Sequence, residues 1–173
     1  TFPEWQSFIN VGNYIRLQVP LNYFLVDSFG ATISSIDNNL QCTIPQGLVP
    51  ANEQVLFAVN TLSALPPLNQ PDVQNIMMNA PDGFSGNKYS IPYEILALGT
   101  GVTDSLGVLN GGKKLFLSFN YSAIDSLTQA QENANNFRIY RYNSQVKKWI
   151  LIGGFVDVNL NKVQFEVDRT GIY

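Results

Sequence analysis

Oxygen-bearing side chains occur at alternate positions near the carboxyl-terminal end of the sequence, at Asp157, Asn159 and Asn161. When Asp157 is counted as position one, Asp168 is position twelve, and such spacing is typical of a calcium loop. Position six, where a calcium loop has glycine, is Lys162. The residues after Lys162 alternate as in a strand, so we favour a hairpin turn over a calcium site.

Two tyrosines, Tyr140 and Tyr142, share one face of a predicted strand. Flat rings stack well on ligands such as sugars, and the chain is rich in neutral amide side chains that could bind sugar hydroxyls. A sheet face can also hold aromatic residues for packing alone, and we favour that interpretation over a glycan site. Trp149 opens the next strand and is predicted to bury its ring against the opposite sheet.

Catalytic chemistry has little support in this sequence. There is no histidine, which removes Ser-His and Cys-His nucleophiles and imidazole ligands for zinc. The thirteen Asp and Glu residues are scattered, whereas a glycosidase holds two carboxyl groups about 5 to 10 Å apart. No phosphate-binding loop or Gly-x-Ser-x-Gly motif occurs. We predict that the protein is not an enzyme and has no cofactor, with calcium as the one alternative.

Length and composition narrow the class of protein. The chain has 173 residues, of which 45% are hydrophobic and 13% charged, with a formal net charge of -3. One domain spanning residues 1–173 with a sizeable core is expected. Ten Lys and Arg residues leave no basic patch for nucleic acid, and no apolar run is long enough to cross a membrane. Cys42 is the sole cysteine, so an intrachain disulfide is excluded and a buried, inert thiol is expected.

Alternation of apolar and polar residues dominates the chain and predicts strands. Val163, Phe165 and Val167 alternate with polar neighbours, and residues 15–19, 40–44 and 55–59 behave alike. Short strands with turn residues between them predict an all-β fold, an antiparallel β-sandwich. The helical pattern is weak, with at most one short helix near residues 122–135. Residues 60–87, rich in Pro and Gly, form a long loop that either packs on itself or binds a partner.

The amino-terminal segment, residues 1–28, contains two apolar stretches, one around Ile15, Leu17 and Val19 and one at residues 23–26. We expect them to form one or two strands, because exposed apolar area costs about 25 cal/mol/Å². An edge of the same sandwich is the favoured destination. The alternative is the edge of a neighbouring subunit.

Three segments resemble a known family. The first, residues 40–49, contains a strand followed by Ile44-Pro45-Gln46-Gly47-Leu48. The second, residues 93–121, contains a strand, a glycine-containing loop and Lys113-Lys114. The third, residues 137–173, contains two tyrosines followed by Trp149 and then by Gly153-Gly154. The order and spacing resemble ZU5-like modules of bacterial and archaeal secreted, multidomain surface proteins, and this resemblance implies a β-sandwich of the ZU5-like or immunoglobulin-like kind. Some of these modules cleave themselves at a His-Phe-Ser tripeptide. Here that tripeptide is replaced by Arg169-Thr170-Gly171, so self-cleavage is not implied.

The resemblance and the composition together suggest a function. We expect a non-catalytic structural or adhesive β-sandwich module of a secreted or cell-surface protein, located outside the cell or in the cell envelope. Its partners would be other domains or subunits of that protein. A carbohydrate-binding module of an extracellular enzyme is the alternative, and a filament subunit that exchanges strands is the third hypothesis. The chain begins at Thr1 rather than at Met, which we interpret as a processed or excised end.

Overall fold

The computed structural model describes residues 22–61, 92–99, 101–121 and 137–173, together with the backbone of two strands between residues 7 and 18. Within these residues the chain forms thirteen strands and one turn of 3-10 helix at Asn110–Gly112. The predicted helix near 122–135 and most of the 60–87 loop lie outside them. The strands are β1 (Ser7–Val11), β2 (Tyr14–Gln18), β3 (Tyr23–Val26), β4 (Ala31–Ser34), β5 (Leu40–Ile44), β6 (Val55–Thr61), β7 (Tyr93–Leu98), β8 (Leu115–Asn120), β9 (Ile139–Asn143), β10 (Lys148–Gly153), β11 (Phe155–Asp157), β12 (Lys162–Val167) and β13 (Gly171–Ile172).

Two antiparallel sheets carry most of the strands. One has five strands in the order β11-β12-β8-β5-β4, and the other has four in the order β13-β7-β6-β3. The chain crosses between them after β3, after β5, after β7 and after β12, while β1–β2 and β9–β10 pair as separate hairpins. This arrangement confirms the predicted antiparallel β-sandwich. In the described part of the chain, no helix has the length and hydrophobicity that a membrane crossing requires.

The core lies between the two sheets because alternate residues of each strand point inward. Leu40, Cys42 and Ile44 of β5 are buried on one side, and Phe57 of β6 is fully buried on the other. All of them belong to one continuous apolar cluster, to which Ile139 of the β9–β10 hairpin also contributes. Each such aliphatic or aromatic side chain contributes about 1.5 to 3 kcal/mol by burial.

The amino-terminal segment divides between two destinations. Strand β3 pairs with β6 and forms the last strand of the four-stranded sheet, which confirms an intramolecular edge for residues 23–26. Strand β2, which contains Ile15 and Leu17, pairs with β1 instead of with either sheet among the described residues. The sequence between the two strands is Gly12-Asn13, and both are residue types common in two-residue hairpin loops.

Cys42 is fully buried, as predicted, between the inward side chains of β5. Burial raises the pKa of its thiol to about 12, so the reactive thiolate is scarce at neutral pH. We expect native protein to react with a thiol reagent only as fast as it opens, and urea-unfolded protein to react at the rate of a free peptide. Labelling of native protein within seconds would show that the thiol is accessible.

Candidate functional site

The outer face of the four-stranded sheet is apolar, which is unusual for a sheet side that points away from the core. Since Val55, Phe57 and Val59 point inward, the alternate residues of β6 and their neighbours point outward. Pairing between strands arranges these outward residues in three rows. The rows are Leu25, Leu56 and Leu98; Tyr23, Ala58 and Leu96; and Asn60, Glu94 and Ile172. We call this surface the apolar face.

Solvent exposure changes along the apolar face. At one end Leu25 is 45% exposed and Leu98 is 39% exposed, and Leu56 between them is half-buried. At the other end Asn60 and Glu94 are buried. The open end therefore presents a row of three leucine side chains to water, on a face whose only ionisable carboxylate, that of Glu94, is at the covered end.

The sequence of β6 and β7 explains this face. Residues 55–59 read Val-Leu-Phe-Ala-Val and residues 95–98 read Ile-Leu-Ala-Leu, so consecutive positions are apolar and both sides of each strand are hydrophobic. Such continuous runs are typical of strands that are covered on both faces. Prediction from alternation noted the inward residues and missed Leu56, Leu96 and Leu98. The unbroken run was the sequence feature that could have revealed them.

The β9–β10 hairpin continues the apolar face beyond β13. Tyr142 pairs with Trp149, and their rings meet edge to face with centroids 5.6 Å apart. Ile172 of the apolar face also packs against Tyr142. The prediction that Trp149 is buried against the opposite sheet is wrong, because the register places it with Tyr142 on the hairpin face opposite Ile139. Its ring is half-buried in this small cluster and lies outside the main core.

The two tyrosines predicted to stack on a sugar differ in exposure. Tyr140 and Tyr142 lie on one face of β9, as expected, but Tyr142 is only 7% exposed and Tyr140 is half-buried. The hydroxyl of Tyr142 is buried and has no hydrogen-bond partner among the described residues. The ring of Tyr142 packs on Trp149 and does not offer an open surface, so glycan stacking at this pair stays a prediction that rests on Tyr140.

Asp157 is the last residue of β11, and Asn159 and Asn161 lie in the turn that follows it before β12. An oxygen of Asp157 accepts hydrogen bonds from the backbone N–H groups of Asn159 and Leu160, at 3.0 and 3.1 Å. Asn161 has the left-handed backbone angle φ of +54°. These features are those of an Asx-stabilised hairpin turn, the favoured interpretation of the motif.

Asp168 lies at the other end of β12 from that turn. Its carboxylate accepts hydrogen bonds from Arg169 at 2.9 and 3.2 Å and lies 3.9 Å from Arg141. The hydrogen bonds from Arg169 are the main cause that lowers its pKa. In the described residues no three His, Cys, Asp or Glu side chains group as metal ligands. The structure thus separates Asp168 from Asp157, and calcium binding by the turn alone stays a prediction.

Asp37, in the turn between β4 and β5, joins the two sheets through hydrogen bonds. The hydroxyl of Tyr93, a fully buried residue of β7, donates to this carboxylate at 2.6 Å. Ser35 and the backbone of Asn39 also donate to it. Burial acts to raise the pKa of Asp37, but these hydrogen bonds outweigh it, and the pKa is lowered from 3.8.

We expect Tyr93→Phe to destabilise the protein by about 1 kcal/mol near neutral pH, because the charged carboxylate of Asp37 loses a donor. A lowered folded-state pKa stabilises the protein above pH 4, and this contribution disappears as acid protonates Asp37. The difference in the free energy of unfolding between the wild type and Tyr93→Phe should therefore become smaller below about pH 4. Urea unfolding at several pH values measures this difference. Tyr142→Phe is the control, because it removes a hydroxyl that has no hydrogen-bond partner among the described residues. A difference that is independent of pH would contradict the role of Asp37.

No protein-family model matches this chain. No curated protein matches it either.

Proposed function

We propose that this protein is a non-catalytic structural or adhesive β-sandwich module that associates through its apolar face. The observation that carries the proposal is the exposed row of Leu25, Leu56 and Leu98 on an outer sheet face. Exposed apolar patches on soluble proteins commonly mark interaction surfaces, since their burial removes apolar area from water. A partner that covers this row would gain the hydrophobic stabilisation that the isolated module lacks.

The occupant that fits the row best is a second copy of the module. The exposed end of the apolar face presents aliphatic side chains and no charge, so two identical rows can pack on each other without unpaired ions. A twofold interface is self-complementary, because the same residues face each other across the axis. A formal net charge of -3 per chain opposes such pairing only weakly at physiological salt.

The position of β3 supports assembly as well. This strand carries Leu25 and is the last strand of its sheet, so its backbone edge adjoins the leucine row. Edge strands are sites where a further strand can add by main-chain hydrogen bonds. Addition of a strand from a neighbouring copy would extend the same contact into a filament, which is the third hypothesis drawn from the sequence.

A secreted or cell-surface setting, and membership of the ZU5-like group, belong to this proposal. They are supported by the spacing of segments 40–49, 93–121 and 137–173 and by the low charge of the chain. In that setting the module would separate or join other domains of a larger surface protein.

Sedimentation velocity over a range of protein concentrations tests the proposal. We expect wild-type protein to self-associate as its concentration rises, and Leu98→Glu and Leu25→Glu to remain monomeric. A buried, unpaired glutamate would oppose packing of the two rows. Both leucines are substantially exposed in the single chain, so the variants should keep the circular dichroism of the wild type.

Leu106→Glu is the matched control, because it places the same charge at an apolar side chain that is 63% exposed in a loop. This variant should associate like the wild type. Wild-type protein that stays monomeric at every concentration, or association that survives Leu98→Glu and Leu25→Glu together, would contradict the proposal.

A further inference from the structure

The outer face of the five-stranded sheet has a different chemistry from the apolar face. Pairing across β12, β8, β5 and β4 arranges its outward side chains in two long rows. One row consists of Gln164, Ser118, Gln41 and Ser34, and the other of Glu166, Phe116, Thr43 and Thr32. We call this surface the polar face. With strands about 4.8 Å apart, each row extends about 14 Å across the sheet.

Side chains of the polar face hold one another in place. The hydroxyl groups of Thr32 and Thr43 are 3.0 Å apart, and Gln164 donates to Ser118 at 3.2 Å. Lys162, at the margin of the face, donates to the side-chain oxygen of Gln41 at 3.4 Å. Each of these bonds engages one atom of an amide or hydroxyl that has further donor or acceptor capacity. The face is therefore an ordered array of groups that can both donate and accept hydrogen bonds.

Phe116 is the aromatic residue inside these two rows, and Phe155 of β11, which is 74% exposed, pairs with Gln164 at the end of the first row. The ring of Phe116 is 37% exposed although it lies at the centre of the polar face, between Thr43 and Glu166. An apolar ring with hydroxyl, amide and carboxylate groups at the neighbouring positions matches a ligand with an apolar flat side and a hydroxyl-bearing rim. Sugar rings have this character, since their C–H groups form flat faces and their hydroxyls point outward.

The charges of the polar face favour a neutral ligand. All outward residues of β8, β5 and β4 are uncharged. Charge is confined to the β12 side, where Glu166 lies 3.4 Å from Lys114. Since neither sign predominates, the face has no means of selecting an acidic or basic polymer by charge.

We infer that the polar face binds a neutral polysaccharide, with Phe116 stacking on a sugar ring and Gln41 and Gln164 binding its hydroxyls. This site is separate from the apolar face and does not depend on self-association. It also differs from the Tyr140 and Tyr142 pair. Tyr140→Ala should leave binding unchanged if the sugar binds at the polar face, and should abolish binding if the sugar stacks on Tyr140.

Affinity electrophoresis of the full chain in gels that contain a soluble polysaccharide tests the inference. Neutral polymers (mixed-linkage glucan, xylan, glucomannan) are compared with an anionic one (polygalacturonate). We expect a neutral polymer to retard the wild-type protein, and Phe116→Ala to weaken the association constant about tenfold or more, as loss of a buried aromatic contact does. Gln41→Ala should weaken the association constant as well. Phe116→Tyr keeps the aromatic ring and should retain most of the affinity.

Tyr140→Ala and Phe29→Ala are the controls, the second because Phe29 is 78% exposed at the turn before β4. Both should be retarded like the wild type, and thermal unfolding should show that every variant is folded. The inference is overturned if no neutral polymer retards the wild type, if only the anionic polymer does, or if Phe116→Ala is retarded unchanged. Loss of retardation in Tyr140→Ala alone would move the site to β9.

Discussion

Phe57→Ala should lower the free energy of unfolding by about 3 to 5 kcal/mol. Phe57 is fully buried on the inward side of β6, where it belongs to the cluster that both sheets share. Truncation removes its apolar contacts and leaves a cavity, because the strands on either side are fixed by ladder hydrogen bonds. A loss of this size is a large fraction of the stability of a small domain.

Phe29→Ala is the matched control, since it removes the same ring from a side chain that is 78% exposed. We expect a change within about 0.5 kcal/mol for this surface position. Urea unfolding followed by tryptophan fluorescence and by far-ultraviolet circular dichroism gives both values. Equal losses for the two variants would contradict a shared core between the sheets at Phe57.

Gly30→Ala should be the most damaging glycine substitution in the described part of the chain, with an expected loss of about 3 kcal/mol or more. Gly30 has φ of +76° in the turn that carries the chain from β3 to β4. A methyl group there would collide with the carbonyl oxygen of Ile44 and would lie 2.9 Å from the carbonyl carbon of Pro45. Both obstacles are backbone atoms of the adjacent connection, so neither can move aside cheaply.

Gly111→Ala separates the collision from the strain of a left-handed residue. Gly111 has φ of +67°, but a methyl group there would have no neighbouring atom within 4 Å. We expect this variant to lose about 1 kcal/mol, which is the cost of the backbone angle alone. Thermal unfolding of Gly30→Ala and Gly111→Ala measures the two losses of stability. Similar losses in both variants would mean that the turn at Gly30 can relax around the added methyl group.

Much of the fold could be predicted because alternation reports directly on which side of a strand is buried. The inward positions of β5 and β12, for example Leu40, Cys42 and Val163, are those that the sequence pattern indicates. The order of strands within each sheet was not accessible in this way. It depends on contacts between distant segments, such as Asp37 with Tyr93, that no local pattern encodes.

The surfaces with functional interest were harder to predict. Leu56 and Leu98 sit in runs that are apolar at every position, so alternation did not distinguish the outward leucines from the core. The polar face, in contrast, is built mainly from isolated Gln, Ser and Thr residues on four strands, and only the register places Ser118 between Gln41 and Gln164. Trp149 was misplaced for the same reason, because the register of the β9–β10 hairpin decides which side its ring occupies.

Photo-crosslinking from the leucine row is the most direct test of self-association through the apolar face. A photoreactive phenylalanine in place of Leu98, irradiated at a concentration where the protein associates, should crosslink to residues 23–26, 55–61 or 93–98 of a second copy. Mixing of isotopically light and heavy protein distinguishes crosslinks between chains from those within one chain. The same group at the exposed Leu106 should give no such product. Crosslinks from position 98 that occur only within one chain, or that reach only the polar face of the second copy, would contradict the proposed interface.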